Sequence, residues 1–595
     1  MIRPALLLAL LAAVPLAQSA PNLTTVSERS GFTATGRYAE VEQLCAAFQK
    51  AYPKAVRCIE FGRTPEDRPM LALVVTRSGA FTAQAARVRN LPVTLIQGGI
   101  HAGEIDGKDA GFQAVRELLE GKLAKGALDR QVLIFVPVFN VDGHERFTKN
   151  NRPNQRGPVE MGWRTTAQNF NLNRDYVKAD APEMQAMLAL VNQWDPLAYV
   201  DLHVTDGAKF QHDVSIQVEP VYSGDPQFRA AGLALRQGVI ADITKQGSMP
   251  QSYYMSFATN DDPASGFVDG VSDPRFSTGY FQLRNRMAML VETHSWKDYP
   301  TRVRITHNAF VSVLEQVSAH GKQWQQMAYA ADARALQLGG QPVTLTYKTT
   351  DKTTMVDFRG YAYTRTMSDV SGMLMTHYDE NTPQIWHVPL RDEVVPNLVV
   401  DAPRAGYVVP AAYAASVGRK LAQHGIAFTT LDTAIDKADV ETFRADVATL
   451  SAASVESHQR LAVKGMWKNE PRPVAKGALY VPVAQPKARL VVAMFEPQAP
   501  DSLLAWGLFN TAFEPKEYME EYVAEDVARE QMAADPALAA AFRNKVATDP
   551  AFAKDPHARL AFFARRHASW DERLNLYPVM RIAVAPAAKA AMPAR

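Results

Sequence analysis

The sequence has almost no net charge and, after its first residues, no apolar run long enough to span a membrane. Its 64 Lys and Arg residues nearly balance its 62 Asp and Glu residues, and a net charge of +2 offers no electrostatic footprint for nucleic acid. No later stretch reaches the roughly 18 uninterrupted apolar residues of a spanning helix, so no stable membrane anchor is expected. Hydrophobic residues make up 47% of the 595 residues and charged residues 21%, which excludes disorder, collagen and coiled coil as the dominant class. A chain of this length is expected to contain two to four domains.

Cysteine is scarce as well. Cys45 lies in a helical pattern over residues 38–51, and Cys58 lies in a strand-like run over residues 56–61. An oxidising compartment would allow the two thiols to pair and to link this helix to this strand. Two buried free thiols are the alternative, and neither cysteine is predicted to be a catalytic nucleophile.

The first twenty residues predict export. Arg3 supplies a short positive region, residues 5–14 form an apolar run, and small residues up to Ala20 suit a cleavage site. A buried N-terminal helix is the alternative. We expect a signal peptide over residues 1–20, cleavage near Ala20, and a mature protein in the periplasm or outside the cell.

The pattern of residues 37–335 alternates between short apolar runs and helical segments. This alternation predicts an α/β domain with a mixed, mostly parallel sheet flanked by helices. Gly339-Gly340-Gln341-Pro342 interrupts the pattern, so we place the domain over residues 21–338 and a separate region over residues 343–595. The second region is predicted to be mixed α+β, with residues 490–495 as one of its strands, and the sequence assigns it no role.

The most informative stretch is PVTLIQGGIHAGE, residues 92–104. An apolar strand runs into a Gly-Gly turn and then into His101 and Glu104, just before a predicted helix. Imidazole nitrogen and carboxylate oxygen are both good Zn²⁺ ligands, and three residues on a turn separate them. The H-x-x-E motif alone is weak, but the strand–glycine–helix context strengthens the prediction of a zinc site.

Two further apolar strands deliver residues suited to such a site. His203 ends the run 198–202 and is the predicted third ligand, because open α/β sheets place their sites at the carboxyl ends of strands. Glu292 ends the run 287–291, where an unpaired carboxylate is hard to explain structurally and could accept a proton from an activated water. Other histidines, among them His144, His212 and His294, are predicted to lie outside the site.

Between these strands lie residues suited to binding an anionic substrate. Arg164 and Arg174 carry the planar fork that matches a carboxylate or a developing oxyanion. Asn173, next to Arg174, offers an amide beside that fork. The alternative is that Arg164 and Arg174 are surface arginines beside local turns. The nearby metal motif favours the substrate-binding interpretation.

In this order, the residues resemble the zinc carboxypeptidase family of metallopeptidases over about residues 37–335. The resemblance also includes the segments Phe61–Met70 and Asn140–Gly143. It implies one Zn²⁺ ion held by His101, Glu104 and His203, and Glu292 as the general base. It further implies that Arg164 polarises the scissile carbonyl and that Asn173 and Arg174 bind a substrate carboxylate.

Two positions depart from the family pattern. The aspartate that orients a zinc-binding histidine in well-studied members is replaced by Asn171, whose amide oxygen still accepts an imidazole N–H but leaves the ligand less basic. The mobile tyrosine that caps the substrate has three candidates, Tyr253, Tyr254 and Tyr280.

The sequence therefore predicts a secreted zinc carboxypeptidase that removes C-terminal residues from peptides or proteins. The alternatives are a related zinc hydrolase acting on peptidoglycan stem peptides or N-acyl amino acids, and an inactive binding protein with the same fold. The sequence leaves side-chain specificity and oligomeric state open.

Overall fold

The computed structural model of the protein describes residues 22–586. The predicted signal peptide and its cleavage site near Ala20 lie outside the described residues, so export stays a prediction. Within residues 22–586, no helix combines the length and the apolar character needed to cross a membrane.

The predicted α/β pattern before residue 336 is confirmed, and it builds one mixed eight-stranded sheet. The strands of this part of the chain are β1 (Val56–Arg63), β2 (Pro69–Val75), β3 (Val93–Gly98), β4 (Val132–Val136), β5 (Ala198–Val204), β6 (Val214–Glu219), β7 (Pro250–Gln251), β8 (Phe267–Val268) and β9 (Met287–Thr293). The order in the sheet is β1-β2-β4-β3-β5-β9-β6-β7, and β8 pairs elsewhere. The central strands β4, β3, β5 and β9 are parallel, so their carboxyl ends meet at one edge.

Ten α-helices lie in residues 22–338, and the longer ones pack against this sheet. They are α1 (Val26–Arg29), α2 (Tyr38–Ala51), α3 (Ala83–Val88), α4 (Asp106–Leu119), α5 (Ala127–Arg130), α6 (Val141–Glu145), α7 (Pro182–Trp194), α8 (Arg229–Lys245), α9 (Ser277–Phe281) and α10 (Tyr299–Ala335). Helix α4 contacts β3 and β5, and the long α10 contacts both α4 and α8. The central strands are buried along almost their whole length, as expected for a parallel sheet covered by helices.

Cys45 and Cys58 form a disulfide bond, which decides between the two alternatives left open by the sequence. The bond joins α2 to β1 and closes a short segment of chain. No free cysteine occurs in the described residues.

The C-terminal region is rich in β-structure, as predicted for a separate mixed α+β region. Its strands are β10 (Pro342–Thr349), β11 (Thr354–Met367), β12 (Leu374–Arg391), β13 (Val394–Asp401), β14 (Gly406–Val409), β15 (Thr429–Thr430), β16 (Ile435–Leu450), β17 (Leu461–Val474), β18 (Leu479–Pro482) and β19 (Met580–Ile582). Two long antiparallel hairpins dominate it: β11–β12, which also pairs with β8, and β16–β17, which lies at one edge of a six-stranded sheet.

The helices of this region are α11 (Ala411–Gln423), α12 (Ala488–Phe495), α13 (Glu521–Ala534), α14 (Pro536–Thr548), α15 (Pro550–Lys554) and α16 (Pro556–Ala564). Three of these helices begin at Asp-Pro pairs, where the side chains of Asp535, Asp549 and Asp555 each accept a backbone N–H at the start of a helix. The prediction of a strand over residues 490–495 is wrong, since this run belongs to α12. All its residues are buried, and a short apolar run that is buried all round has no periodicity to separate helix from strand.

The two regions of the chain pack against each other. One cluster of buried apolar residues contains sheet residues such as Tyr199 together with Tyr407 and Phe495 from the C-terminal region. The division of the chain into two domains near residues 339–342 stays a prediction.

A half-buried ion cluster also joins the two regions. Asp180 Oδ1 lies 2.7 Å from Lys420 Nζ, and its Oδ2 lies 2.7 Å from His458 Nε2 and 3.4 Å from Lys178 Nζ. Burial alone would raise the pKa of Asp180, but the hydrogen bonds from His458 and Lys420 and the nearby lysine charges lower it below its ordinary value.

We expect Asp180→Asn to lower the free energy of unfolding by about 1–3 kcal/mol at pH 7. A carboxyl group whose pKa is lowered by folding stabilises the protein above its unfolded-state pKa of about 3.9, and this stabilisation is lost as the pH falls through the folded-state value. The difference between variant and parent should therefore shrink at pH 3. Urea unfolding at both pH values measures it, with the exposed Asp351→Asn as control. An equal loss at pH 7 and pH 3 would contradict the assignment.

Candidate metal centre and substrate site

The site lies at the carboxyl edge of the parallel strands, where the chain leaves β3. Gly99 follows that strand with a φ of 64°, a left-handed conformation that glycine adopts without strain. The next turn is closed by the Glu104 N–H donating to the His101 carbonyl at 2.9 Å. His203 lies on the neighbouring strand β5, so the turn and the strand face one another.

The three predicted ligands are brought together and buried. His101 Nδ1 lies 3.0 Å from Glu104 Oε1, and His203 Nδ1 lies 2.9 Å from Glu104 Oε2. Ligand atoms of the three side chains all lie within 4.8 Å of one another. Both imidazoles therefore direct the same ring nitrogen toward one carboxylate.

The opposite ring nitrogens each face an oxygen. His101 Nε2 lies 3.1 Å from Asn171 Oδ1, so Asn171 stands where the family pattern has its histidine-orienting aspartate. His203 Nε2 lies 2.9 Å from Asp201 Oδ1, and Gln97 donates to the same oxygen at 2.7 Å. An N–H held on Nε2 leaves the Nδ1 lone pair available as a metal ligand.

Glu292 lies beside this cluster. It is the register neighbour of His203 on β9, and the side chain is 7% exposed. Its Oε2 has no hydrogen-bond partner within residues 22–586. Burial, together with the negative charges of Glu104 and Asp201, raises the pKa of Glu292 to about 8, against the opposing effect of His203.

The other carboxylate of the cluster is shifted in the opposite direction. Burial alone would raise the pKa of Glu104, but His101 and Arg152 bring it well below its usual value. Burial lowers the pKa of His101 to about 4, which keeps this imidazole neutral. For His203, burial is outweighed by Asp201 and Glu292, and its pKa is raised.

These residues fit a zinc ion. Catalytic zinc sites use two imidazoles and one carboxylate as protein ligands. Such a set leaves the fourth coordination position of the ion open. The unpartnered Glu292 Oε2 and the raised pKa of Glu292 both indicate that this buried pocket lacks positive charge. A divalent cation between His101, Glu104 and His203 would supply that charge.

Two arginines border the cluster. Arg164 Nη1 lies 3.4 Å from Glu104 Oε1, and its side chain is partly exposed. Arg152 Nη1 lies closer, 3.0 Å from the same oxygen, and is buried. Arg164 is therefore the arginine that can reach both the cluster and a ligand arriving from solvent.

The predicted carboxylate-binding pair lies next to Asn171. The Asn173 N–H donates to Asn171 Oδ1 at 3.0 Å, and Asn173 Oδ1 is buried without a partner among the described residues. Arg174 is half-buried, with its guanidinium carbon 4.4 Å from the centre of the Phe276 ring. In the described part of the chain, no carboxylate lies within ion-pair distance of this guanidinium. Burial and the charges of Arg164 and other basic groups lower the pKa of Arg174.

The competing histidines and tyrosines separate clearly. His144, His212 and His294 do not join the cluster: the first faces the Gly36 carbonyl, the second faces the Met249 carbonyl and the third stacks on Phe210. Tyr280 is fully buried, with its hydroxyl 2.8 Å from His424 Nδ1.

Of the two remaining tyrosines, Tyr253 is buried against Phe267 in an aromatic cluster. Tyr254 lines a cleft of about 640 Å³ that also contains Asp206, Trp296 and Tyr378. Burial and the charges of Glu292 and Asp206 raise the pKa of Tyr254, so its hydroxyl stays protonated beside the carboxylates. Of the three candidates for the capping tyrosine, Tyr254 is the one that lies near Glu292 and Glu104.

Sequence reasoning missed Asp201, Arg152 and the C-terminal contributions to the site. Asp201 could have been found from the sequence, because it precedes His203 by two positions on a strand and therefore lies on the same face. Arg152 lies in an irregular loop, and nothing in its local sequence points to Glu104. The roles assigned to the residues of the site stay predictions.

The predicted family resemblance is confirmed by comparison with known proteins. Residues 41–217 match the sequence model of the family described as zinc carboxypeptidase. No protein with a curated description matches the chain. That family is one of zinc carboxypeptidases, and the match spans 177 of the 595 residues of this chain.

Solved structures with a similar arrangement include metallocarboxypeptidases from several organisms. The metallo-carboxypeptidase of Burkholderia cenocepacia is 18% identical, with a TM-score of 0.34, and the match covers 47% of this chain and 69% of that one. The carboxypeptidase A of Helicoverpa armigera is 16% identical, with a TM-score of 0.34 and coverage of 50% and 74%. A metallo-carboxypeptidase of Pseudomonas aeruginosa, in complex with (2-guanidinoethylmercapto)succinic acid, is 12% identical, with a TM-score of 0.33 and coverage of 47% and 69%.

Proposed function

We propose that the protein is an exported zinc-dependent carboxypeptidase that hydrolyses the last peptide bond of its substrates. The observation that carries the proposal is the buried cluster of His101, Glu104 and His203 with the unpartnered carboxylate of Glu292 beside it. A metal-binding triad alone would also suit a structural ion. The adjacent free carboxylate is what a hydrolytic site requires in addition.

The roles of the side chains follow from their chemistry. When bound to His101, Glu104 and His203, Zn²⁺ would supply Lewis acidity for the attacking water and for the scissile carbonyl. Glu292 accepts the proton of the attacking water and returns it to the leaving amine. Arg164 donates to the oxyanion that develops on the carbonyl, a contribution typically worth about 2.7–4 kcal/mol per donor.

Cleavage at the chain end follows from the neighbouring pair. Arg174 is a half-buried cation without an anionic partner in the described part of the chain, next to the unpartnered amide oxygen of Asn173. A terminal carboxylate would satisfy this guanidinium in bidentate fashion. The peptide bond next to that carboxylate would then lie at Glu292 and Arg164.

Incubation of the zinc-loaded mature protein with a defined peptide mixture tests the proposal. Mass spectrometry should detect stepwise loss of C-terminal residues and the appearance of free amino acids. Internal cleavage, or release only from peptidoglycan stem peptides or N-acyl amino acids, would assign the chain to another zinc hydrolase activity. No hydrolysis of any of these substrates would favour a binding protein.

We expect one zinc ion per chain, and we expect His203→Ala to remove it. The substitution deletes one of three ligands, so the measured zinc content should fall at least tenfold and peptide hydrolysis should fall with it. Elemental analysis after dialysis measures the zinc. The exposed His320 on α10 offers a control, and His320→Ala should retain one ion. Full zinc content in the His203 variant would contradict the ligand assignment.

A further inference from the structure

The hairpin β16–β17 reaches from the C-terminal region to the substrate site. At its tip, Glu456 Oε2 accepts a hydrogen bond of 2.9 Å from the backbone N–H of Asn171. The side-chain Oδ1 of Asn171 in turn lies 3.1 Å from His101 Nε2. The same Oδ1 accepts a hydrogen bond from the backbone N–H of Asn173. A residue 285 positions away in sequence therefore holds the segment that carries the predicted carboxylate-binding pair.

The geometry of this tip is unusual for its sequence. Val455 and His458 pair across the turn, and both residues between them have left-handed φ angles, 49° at Glu456 and 63° at Ser457. Such two-residue turns strongly prefer asparagine and glycine, because other side chains are strained there. At Glu456 this turn directs the carboxylate to the backbone N–H of Asn171.

The tip is also fixed in place. His458 Nε2 lies 2.7 Å from Asp180 Oδ2, in the ion cluster that joins the two regions. Further along the hairpin, the Arg460 guanidinium lies 4.4 Å from the centre of the Trp506 ring. These contacts keep Glu456 at the substrate site.

Glu456 changes the charge of that site. Arg164 and Arg275 both add positive charge around Arg174, whereas Glu456 is the carboxylate that opposes them. Only one oxygen of Glu456 is hydrogen-bonded within residues 22–586. A ligand bound by Arg174 would therefore lie near a carboxylate contributed by the hairpin.

The cleft lined by Tyr254 also carries more negative than positive side chains. Its lining includes Asp206 and Asp261, and its single lysine, Lys209, lies 2.8 Å from Glu380 Oε1. The Trp296 ring in its wall already faces two of the protein's own cations, Lys209 Nζ at 5.1 Å and the Arg156 guanidinium at 5.7 Å from the ring centre. The carboxylates of Asp206 and Asp261, with Lys209 paired to Glu380, would favour a basic side chain in this cleft over an acidic one.

We propose that Glu456 is a positioning and specificity-determining residue of the substrate site. It holds the backbone at Asn171, and its charge favours substrates with a basic C-terminal residue over those with an acidic one. This proposal rests on the proposed carboxypeptidase function for its substrate class.

Two substitutions separate the two roles of Glu456. Glu456→Gln removes the charge but retains an amide oxygen that can accept from Asn171, whereas Glu456→Ala removes both. The ligands are Nα-acetyl-lysine and Nα-acetyl-glutamate, whose affinities for the zinc-loaded full chain are measured by isothermal titration calorimetry. The control is Asp446→Asn, an exposed carboxylate on β16.

We expect the parent protein to bind Nα-acetyl-lysine more tightly than Nα-acetyl-glutamate. Glu456→Gln should reduce this preference by about tenfold at low ionic strength and by less at 0.5 M salt, because salt screens the charge. Its unfolding temperature should match that of the parent, whereas Glu456→Ala should unfold at a lower temperature because it loses the hydrogen bond to Asn171. Asp446→Asn should leave the preference unchanged.

Either of two results would overturn the proposal: an unchanged preference in Glu456→Gln, or no measurable binding of either ligand to the parent. Hydrolysis of peptides that differ only in a terminal lysine or glutamate is measured in parallel. If the binding preference shifts as expected but no peptide is cleaved, the carboxypeptidase function fails and the role of Glu456 stands.

Discussion

Glu292→Gln is expected to lower kcat by about 10²–10⁴ while zinc content stays at one ion per chain. Glutamine has the shape of glutamate, but its amide cannot accept the proton of an attacking water. The side chain is buried at the end of β9, so a variant of the same size should fold normally. Zinc should stay bound because Glu292 stands outside the cluster of His101, Glu104 and His203.

Steady-state kinetics with a C-terminal peptide substrate measure this effect, with elemental analysis on the same preparation. Glu315→Gln changes an exposed glutamate of α10 in the same chemical way and should leave kcat unaltered. More than one tenth of the parent kcat in the Glu292 variant would remove Glu292 from the role of general base. Loss of zinc in that variant would make it a ligand instead.

Arg174→Ala is expected to lower kcat/KM for free C-terminal peptides by about 10²-fold or more. Hydrogen bonds to charged groups contribute about 1.5–3 kcal/mol each, and a bidentate pair with a carboxylate makes two. The parent protein should therefore discriminate strongly against peptides whose C-terminus is amidated. The variant should have almost equal kcat/KM values for free and amidated peptides, because it no longer binds the terminal carboxylate.

Arg174→Lys provides a graded comparison. Lysine retains the charge but not the planar fork, so its discrimination against amidated peptides should lie between those of the parent and the alanine variant. Arg304→Ala, at an exposed position of α10, is the control for loss of an arginine. If the parent cleaves free and amidated peptides equally well, Arg174 does not recognise a terminal carboxylate and the enzyme is not an exopeptidase.

Much of the fold before residue 336 could be predicted because its strands are apolar runs that end at polar residues. The run before His203 and the run before Glu292 are both buried along their lengths, and the structure places these residues side by side in register. At these positions the apolar pattern predicts a strand, and the polar residue at its end predicts a site. A parallel sheet brings the carboxyl ends of its strands to one edge.

The C-terminal hairpins were harder to predict for a physical reason. Strand β12 is exposed along most of its first twelve residues, so burial gives it no regular alternation of apolar and polar side chains. Strand β11 has the same character, since most of its fourteen residues are at least partly exposed. Pairing with a partner strand, and not burial of one face, stabilises these segments.

Contacts that cross between the two regions could not be predicted at all. Glu456 lies in a stretch with no motif, and its bond to Asn171 exists only because the hairpin folds back over the sheet. The contacts of Asp180 with Lys420 and His458 are of the same kind. Single-sequence patterns carry local information, whereas these contacts depend on how distant segments pack.

The separation of 285 residues between Asn171 and Glu456 has a consequence for the biogenesis of the protein. During synthesis, the segment with His101 and His203 emerges long before the tip of the β16–β17 hairpin. Contacts between distant parts of a chain form late, because closing a long loop is entropically unfavourable. The substrate site therefore acquires its final charge pattern only after most of the polypeptide has left the ribosome and the C-terminal region has docked.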